Sequence, residues 1–450
     1  MPSAPIPIAL DLARYEALLP QIATIRARGR VVQIVGITAE AEGIAAPTGE
    51  ICHIFDPESG LRRAAEVVGF RQGRVLLMPL DTLAGIAAGN TVVSSGRVFR
   101  APVGEALLGR VIDGLARPID QRGALVCEET VNVAITQTPP PLSRRLIQEP
   151  FVTGVRAIDS LLTLGVGQRI GIFSGSGVGK STLLGMIARF ASSDVNVIAL
   201  IGERGREVRE FLEFNLDAAG RRRSVVIVAT ADQPALLRIK AAWTATAIAE
   251  WFRERGQQML LMMDSLTRFA MAQREIGLAV GEPPAVRGYT PSVFAMVPAL
   301  LERAGTSAAG SITGIYTVLV EGDDLQEPVT DTARAVLDGH IVLARQLAQE
   351  HHYPAVDVLA SVSRLAEAVQ SPDHYSAAGR LRELLAAYAN ARDLISIGAY
   401  QAGSDASVDS AIRARPEILR FLRQGADEQA EYAHTLTQLL LLAPPVAGGS

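Results

Sequence analysis

The stretch SGSGVGKST at positions 174–182 limits what this chain can fold into more than any other. It follows the apolar run RIGIF and precedes STLLGMIARF, whose apolar residues recur at helical spacing. Strand, glycine-rich loop and helix N-terminus together form an anion site, with backbone N–H groups and the helix dipole aimed at phosphate. The pattern G-x-x-x-x-G-K-[ST] is matched except that Ser174 stands where the first glycine belongs, a place that needs only a small residue. Gly175, Gly177 and Gly179 let the backbone come close to a ligand, with Ser176 and Val178 between them. Lys180 is placed for the β- and γ-phosphates and the Ser181 hydroxyl for Mg2+, and Thr182 ends the candidate nucleotide-binding set that begins at Ser174.

Around this loop the chain alternates between strand-like runs and helical patterns. VNVIALIG, SVVIVAT, MLLMMD, SITGIYTVLV and AVDVLASV join RIGIF as continuous Val/Ile/Leu strands. Such strands imply a parallel sheet covered on both faces, so residues 99–365 read as an α/β domain. Residues 29–98 hold short β-rich pieces between Gly, Pro and Asn, which predicts a small β-barrel. Residues 366–450 lose the strand runs and read as helices. Residues 1–28 carry Leu12, Tyr15, Leu18, Leu19, Ile22 and Ile25 as one apolar stripe, which suits either packing on its own domain or docking a partner. The proline-dense TQTPPPLSRRLIQEP reads as an extended connector.

Composition agrees with a large folded chain. Of 450 residues 48% are hydrophobic and 20% charged, and 43 basic against 47 acidic residues leave no basic field to attract nucleic acid. Cys52 and Cys127 form no C-x-x-C pair, and both read as buried, reduced thiols. No apolar run reaches the ~20 residues of a membrane span, and the N-terminus lacks the pattern of a secretory signal. The expectation is a soluble, cytoplasmic chain.

Two strand ends supply carboxylates. Asp264 closes MLLMMD, where it would face the same crevice as the glycine loop and hold Mg2+, or else cap the next helix. Glu203 follows VNVIALIG within GERGREVREF and is the candidate to position an attacking water, with Arg204 beside it. The alternative is a solvated ion-pair cluster with Arg206 and Glu207. In HHYPAVDVLASVSRL, Tyr353 could stack on a base and Arg364 reach a neighbour's phosphate. A half-buried tyrosine and a surface arginine are the plain readings, and His351 and His352 read as structural. Three adjacent arginines, GRRRSVV at 220–226, read as a solvated face.

The long motifs GVRAID, GQRIGIFSGSGVGKS, IGERGREVREF, SLTRFAMAQREIGLAVGEPP, RGYTPSVFA, YTVLVEGDDLQEPVTDTARAVLDGHIVL and YPAVDVLASVSRL resemble the flagellar and type III protein-export ATPases. Those enzymes are relatives of the rotary ATP synthase catalytic subunit. GSGVGKSTLLGMIAR and SLTRFAMAQREIGLA are most similar to the flagellum-specific branch, with the injectisome branch as the alternative.

The resemblance implies a RecA-like P-loop ATPase core with an N-terminal β-barrel and a C-terminal helical domain, assembled as a homohexamer using ATP and Mg2+. It implies phosphate and metal roles for Lys180, Ser181 and Asp264, water activation by Glu203 beside Arg204, and adenine contact by Tyr353. It also implies an Arg364 finger lent to the neighbouring subunit. The implied partners are a stator-like regulator at the N-terminal helix and a stalk-like export protein in the central pore, near Asp323 and Asp324. An export gate at the inner membrane, which the ring would join peripherally, and substrate–chaperone complexes complete the set. A rotary synthase subunit fits less well, because no long acidic coupling motif is found in the helical end. A nucleic-acid translocase would need stacking aromatics on a basic groove, and residues 30–100 offer only Phe55, Phe70 and Phe99.

Overall fold

The computed structural model describes residue 12 and residues 27–56, 60–134, 138–320 and 327–443. The N-terminal stripe, apart from an exposed Leu12, lies outside the described residues, as do Asp323 and Asp324. Two compact units are present, Met1–Phe99 and Arg100–Ser450.

In the first unit six strands form a closed barrel. They are β1 (Arg28–Val35), β2 (Thr38–Glu42), β3 (Glu50–Phe55), β4 (Arg62–Arg71), β5 (Arg74–Pro79) and β6 (Thr91–Val98), ordered β1-β2-β5-β4-β3-β6. In β3 every second residue is buried, so Cys52 and Ile54 join Val31, Ala39, Val67 and Leu77 inside the barrel. Pairing of β1 with β6 removes the open edges that a flat sheet would expose.

The second unit begins with β7 (Arg100–Val103), which pairs with β9 (Glu129–Asn132), while β8 (Val111–Asp113) leaves for the main sheet. A short pair follows, β10 (Pro150–Phe151) with β11 (Leu164–Gly165). The main sheet comprises β8, β12 (Arg169–Ser174), β13 (Val195–Glu203), β14 (Ser224–Thr230), β15 (Gln258–Asp264), β16 (Gly305–Thr306), β17 (Ser311–Leu319), β18 (Gly339–Leu343) and β19 (Val356–Ser363). Its order is β19-β18-β12-β17-β15-β13-β14-β8, with β16 paired to β17.

From β18 to β8 the neighbours are parallel, and the central strands are buried almost throughout, as runs without polar alternation require. Two features differ from the sequence reading. AVDVLASV returns antiparallel to β18, because its connection carries one five-residue helix rather than a full crossover. The short strands β8 and β18 also belong to the sheet, although neither has the length of an independent signal.

Helices Pro372–Ser396, Ala406–Leu422 and Tyr432–Leu442 form the helical end. Leu381, Ile418, Phe421 and Leu439 share one apolar core with Phe151, Leu161 and Ile187, so this end belongs to the second compact unit. The connector after residue 137 lies along the surface, pinned by Arg144 to the Ala304 and Glu302 carbonyls (2.9 and 2.6 Å) and by Arg145 to that of Ser307 (3.0 Å). Cys52 is buried and free. Cys127 is free but only half-buried, a correction to the expectation that both are interior.

The arginine run also needs correcting. Arg222 is exposed, but Arg223 turns inward and caps the C-terminal end of helix Lys180–Phe190. Its guanidinium donates to the carbonyls of Ala188 (3.1 Å), Arg189 (2.8 Å), Ala191 (3.0 Å) and Ser193 (2.9 Å). Those carbonyls have no intrahelical partners, and a cation there also meets the negative end of the dipole. Arg223→Ala should therefore destabilise the second unit by about 3 kcal/mol, whereas Arg222→Ala should stay within ~0.5 kcal/mol. Thermal unfolding midpoints of the two variants check this.

Candidate active site

Because the strands are parallel, their carboxyl ends share one edge. The loop after β12, Asp264 at the end of β15 and Glu203 at the end of β13 all emerge there, in the crevice where α/β sheets bind ligands. Ser174 is the last residue of β12 and buried, with its hydroxyl unpartnered. Gly175 and Val178 are buried, while Ser176 and Gly177 are exposed at the turn. Gly177 (φ 79°) and Gly179 (φ 90°) adopt the left-handed region that glycine alone enters freely. A Cβ at Gly177 would meet nothing within 4 Å, so the loop opens onto free space.

Lys180 is the first residue of the helix, and Ser181 and Thr182 expose their side chains on its first turn. No side chain caps this N-terminus and its first turn holds no acid, leaving its N–H groups available to an anion. The donor set fits a polyphosphate.

Lys180 links the three strand ends. Its ammonium contacts the Asp264 carboxylate and lies 3.5 Å from Glu203 Oε1. Burial opposes its charge, but Asp264 and Glu203 outweigh that and hold its pKa above the ordinary value. Asp264 also accepts a 2.6 Å hydrogen bond from Thr317 Oγ1 on β17. It does not cap the following helix, since Ser265 fills that place and accepts from the Arg268 N–H at 3.3 Å.

Glu203 pairs with Lys180 rather than with the arginines around it, although it shares a hydrogen bond with Glu207. Arg204 is exposed and pairs with Glu207 (3.4 Å), and Arg206 pairs with Glu210 (2.5 Å), so those four form the solvated cluster. The Glu203 side chain is only 15% exposed and faces Lys180. Burial pushes its carboxyl up to about 7, the Asp264 charge adds to the rise, and Lys180 opposes it. Glu207 is held below the ordinary range, chiefly by its hydrogen bond with Glu203.

Tyr353 lies over the loop. Two of its ring carbons stand 3.4 and 3.5 Å from where a Cβ on Gly179 would project, and the residue is 39% exposed. Arg364 is not at this edge. Its N–H donates to the Asp338 carbonyl (2.9 Å), and the Asp338 carboxylate pairs with Arg169 at the start of β12 (3.2 Å). The glycine loop leaves the other end of β12, roughly 17 Å away at the rise of a strand. The Arg364 guanidinium is exposed and donates to the Arg334 carbonyl at 3.2 Å. It therefore cannot reach the Lys180 of its own chain.

The sequence reading missed two residues here. Thr317 is a hydroxyl within an apolar strand run, which was its signal. Arg268 passes beneath the residue preceding Glu203: a Cβ on Gly202 would come within 2.7 Å of the Arg268 Cβ, and the Arg268 Nε is buried without a partner. Among the described residues no group of three His, Cys, Asp or Glu side chains converges as a metal cage, and no helix is long and apolar enough to cross a membrane.

Comparison with known proteins matches the same three regions. Residues 154–363 match the nucleotide-binding domain of the ATP synthase alpha/beta family, 31–96 its beta-barrel domain, and 370–440 the type III secretion EscN ATPase C-terminal domain. The flagellum-specific ATP synthase of Bacillus subtilis is 53% identical over 92% of this chain and 94% of its own length. The type 3 secretion system ATPase of Xanthomonas euvesicatoria is 51% identical over 94% of this chain and 96% of its own. Among solved structures, the assembled ATPase EscN of enteropathogenic E. coli superposes with a TM-score of 0.88 at 46% identity, covering 92% of this chain and all of that one. A second structure contains EscN in complex with its central stalk EscO (TM-score 0.85).

The raised Glu203 pKa has a stability consequence. Its folded value of about 7 exceeds the ordinary 4.5, so its favourable contribution is complete below 4.5 and lost as pH rises through 7. Glu203→Gln, which keeps the neutral form, should then be more stable than the parent at pH 8 by about 2 kcal/mol and equal to it at about pH 4. Denaturant midpoints of the nucleotide-free proteins at the two pH values check the sign.

Proposed function

We propose, from the premise that this chain belongs to the flagellar and type 3 secretion ATPases of the ATP synthase alpha/beta family, that it hydrolyses ATP in a homohexameric ring and so energises export of flagellar proteins. The convergence of Lys180, Glu203 and Asp264 where the glycine loop opens supports the hydrolytic part most directly.

Residues 174–182 would cradle the triphosphate through their N–H groups, with Lys180 leaving Asp264 for the β- and γ-oxygens. Bound Mg2+ would neutralise charge between those phosphates. Asp264, oriented by Thr317, and Ser181 are the residues to hold it, and one carboxylate with a hydroxyl suits an ion that keeps several waters. Glu203, released from Lys180 and deprotonated, would orient the attacking water and accept its proton. Arg204 would supply positive charge beside it. Tyr353 would stack on adenine.

Arg364, remote from its own Lys180, supports a ring in which each chain completes its neighbour's site. Leu359 and Val362, exposed on edge strand β19 beside Arg364, are the apolar surface for that contact. The remaining proposed partners are a stator-like regulator, a stalk-like protein in the pore, an export gate and substrate–chaperone complexes, with the ring cytoplasmic and peripheral at the inner membrane. The injectisome reading has equal support from the 51% identical Xanthomonas euvesicatoria relative and the match to the EscN C-terminal domain. Deleting the gene tells them apart: loss of flagellar filaments is expected, while intact filaments with failed effector secretion would select the alternative.

Three variants test the site. Lys180→Ala should abolish ATP binding, whereas Glu203→Gln should bind ATP and lose at least about 100-fold in kcat. Arg364→Ala chains mixed with Glu203→Gln chains should regain activity, since one interface in the mixed ring is intact on both sides. No rescue in verified mixed rings would refute a finger acting between subunits. The pH profile of kcat/KM, which reports the free enzyme, should rise through about pH 7 as Glu203 loses its proton.

A further inference from the structure

We infer that Gln424 is a positioning residue for the nucleotide base: it fastens the loop between the last two helices to the core and so fixes where Tyr353 stands over the glycine loop. The inference rests on the reading of Tyr353 as the base contact.

Gln424 is a polar residue with only 5% of its surface exposed, and a buried side-chain amide is costly unless its donors and acceptor are met. All are met here, two of the three bonds by the distant 154–156 segment and the third within its own loop. Its Oε1 accepts the Arg156 N–H (2.7 Å), and its Nε2 donates to the carbonyls of Gly154 (2.8 Å) and Glu428 (2.6 Å). Its backbone N–H donates to the Tyr353 carbonyl (2.9 Å). One residue therefore joins the segment entering helix Arg156–Leu161, the 423–430 loop and the aromatic residue above the phosphate loop.

The same loop is tied to the far end of the phosphate-loop helix. Arg189, in its last turn, donates to Asp427 Oδ1 (2.7 Å) and to the Ala426 carbonyl (2.6 Å). Arg156 adds bonds to the Arg423 carbonyl (3.1 Å) and Glu428 Oε1 (2.5 Å). The helix that starts at Lys180 and the aromatic ring facing Gly179 are thus connected twice, through the ring itself and through a clasp pinned by Gln424. Tyr353 is 39% exposed, so its ring is not held by burial. Its place depends on an edge contact with the His351 ring (5.9 Å between centroids) and on the backbone beneath it, which the Gln424 N–H holds through the Tyr353 carbonyl.

The test uses the full chain assembled as the active enzyme. Gln424→Met keeps length and removes the side-chain hydrogen bonds, and Gln424→Glu keeps shape but turns an oxygen toward two carbonyls. Either variant with a near-parental unfolding midpoint should raise KM for ATP about tenfold while kcat changes by less than about twofold. Competitive inhibition by inorganic tripolyphosphate, which has no base, should be unchanged. In a Tyr353→Ala background neither variant should raise KM further.

An unchanged KM for ATP, an equal weakening of tripolyphosphate, or full additivity with Tyr353→Ala would each overturn the role of Gln424. If Tyr353→Ala alone leaves KM unchanged, the base contact is misassigned and this inference falls with it. If Tyr353→Ala raises KM and the Gln424 variants do not, only the inference falls.

Discussion

An ammonium between two buried carboxylates organises this molecule. Lys180, Asp264 and Glu203 come from three separate segments, and none would be tolerable alone at such burial. They meet only because β12, β15 and β13 run parallel and end at one edge, with Thr317 of β17 filling the gap beside Asp264. The sheet's register, the glycine conformations at 177 and 179 and the uncapped helix start all serve that meeting. The trio is balanced unevenly. Lys180 neutralises less than the two carboxylates bring, and Glu203, the more weakly paired of them, has a raised proton affinity, chiefly from its burial and then from the Asp264 charge. A site whose groups are mutually satisfied except for one is primed to rearrange when a more highly charged anion enters.

What the sequence revealed of this site was local. Ser174 to Thr182 form one continuous segment, and Asp264 and Glu203 each close an apolar run that the sheet buries. The barrel was legible for the same reason, since alternation in EICHIF and its neighbours is a short-range signal. Strands of three and five residues, β8 and β18, give no such signal and exist because longer neighbours template them.

The residues left unread act across long separations. Arg223 reaches carbonyls some thirty positions upstream, and its value lies in a helix end that composition does not mark. Arg268 matters because Gly202 leaves room for its stem, and Gln424 because its side-chain amide meets the 154–156 segment while its backbone N–H meets Tyr353. A run of arginines looks solvated until one of them turns inward. The location of Arg364 at the far edge of the sheet likewise needed three dimensions.

On the proposed ring reading, the separation of Arg364 from Lys180 within one chain would make local concentration a control on chemistry. On the ring reading, a free chain holds a donor and an acceptor for two different sites and a complete set for none. Nucleotide would then be held by dispersed chains without being consumed. Turnover would begin where chains gather closely enough to close a ring, so the place of assembly would decide the place of hydrolysis.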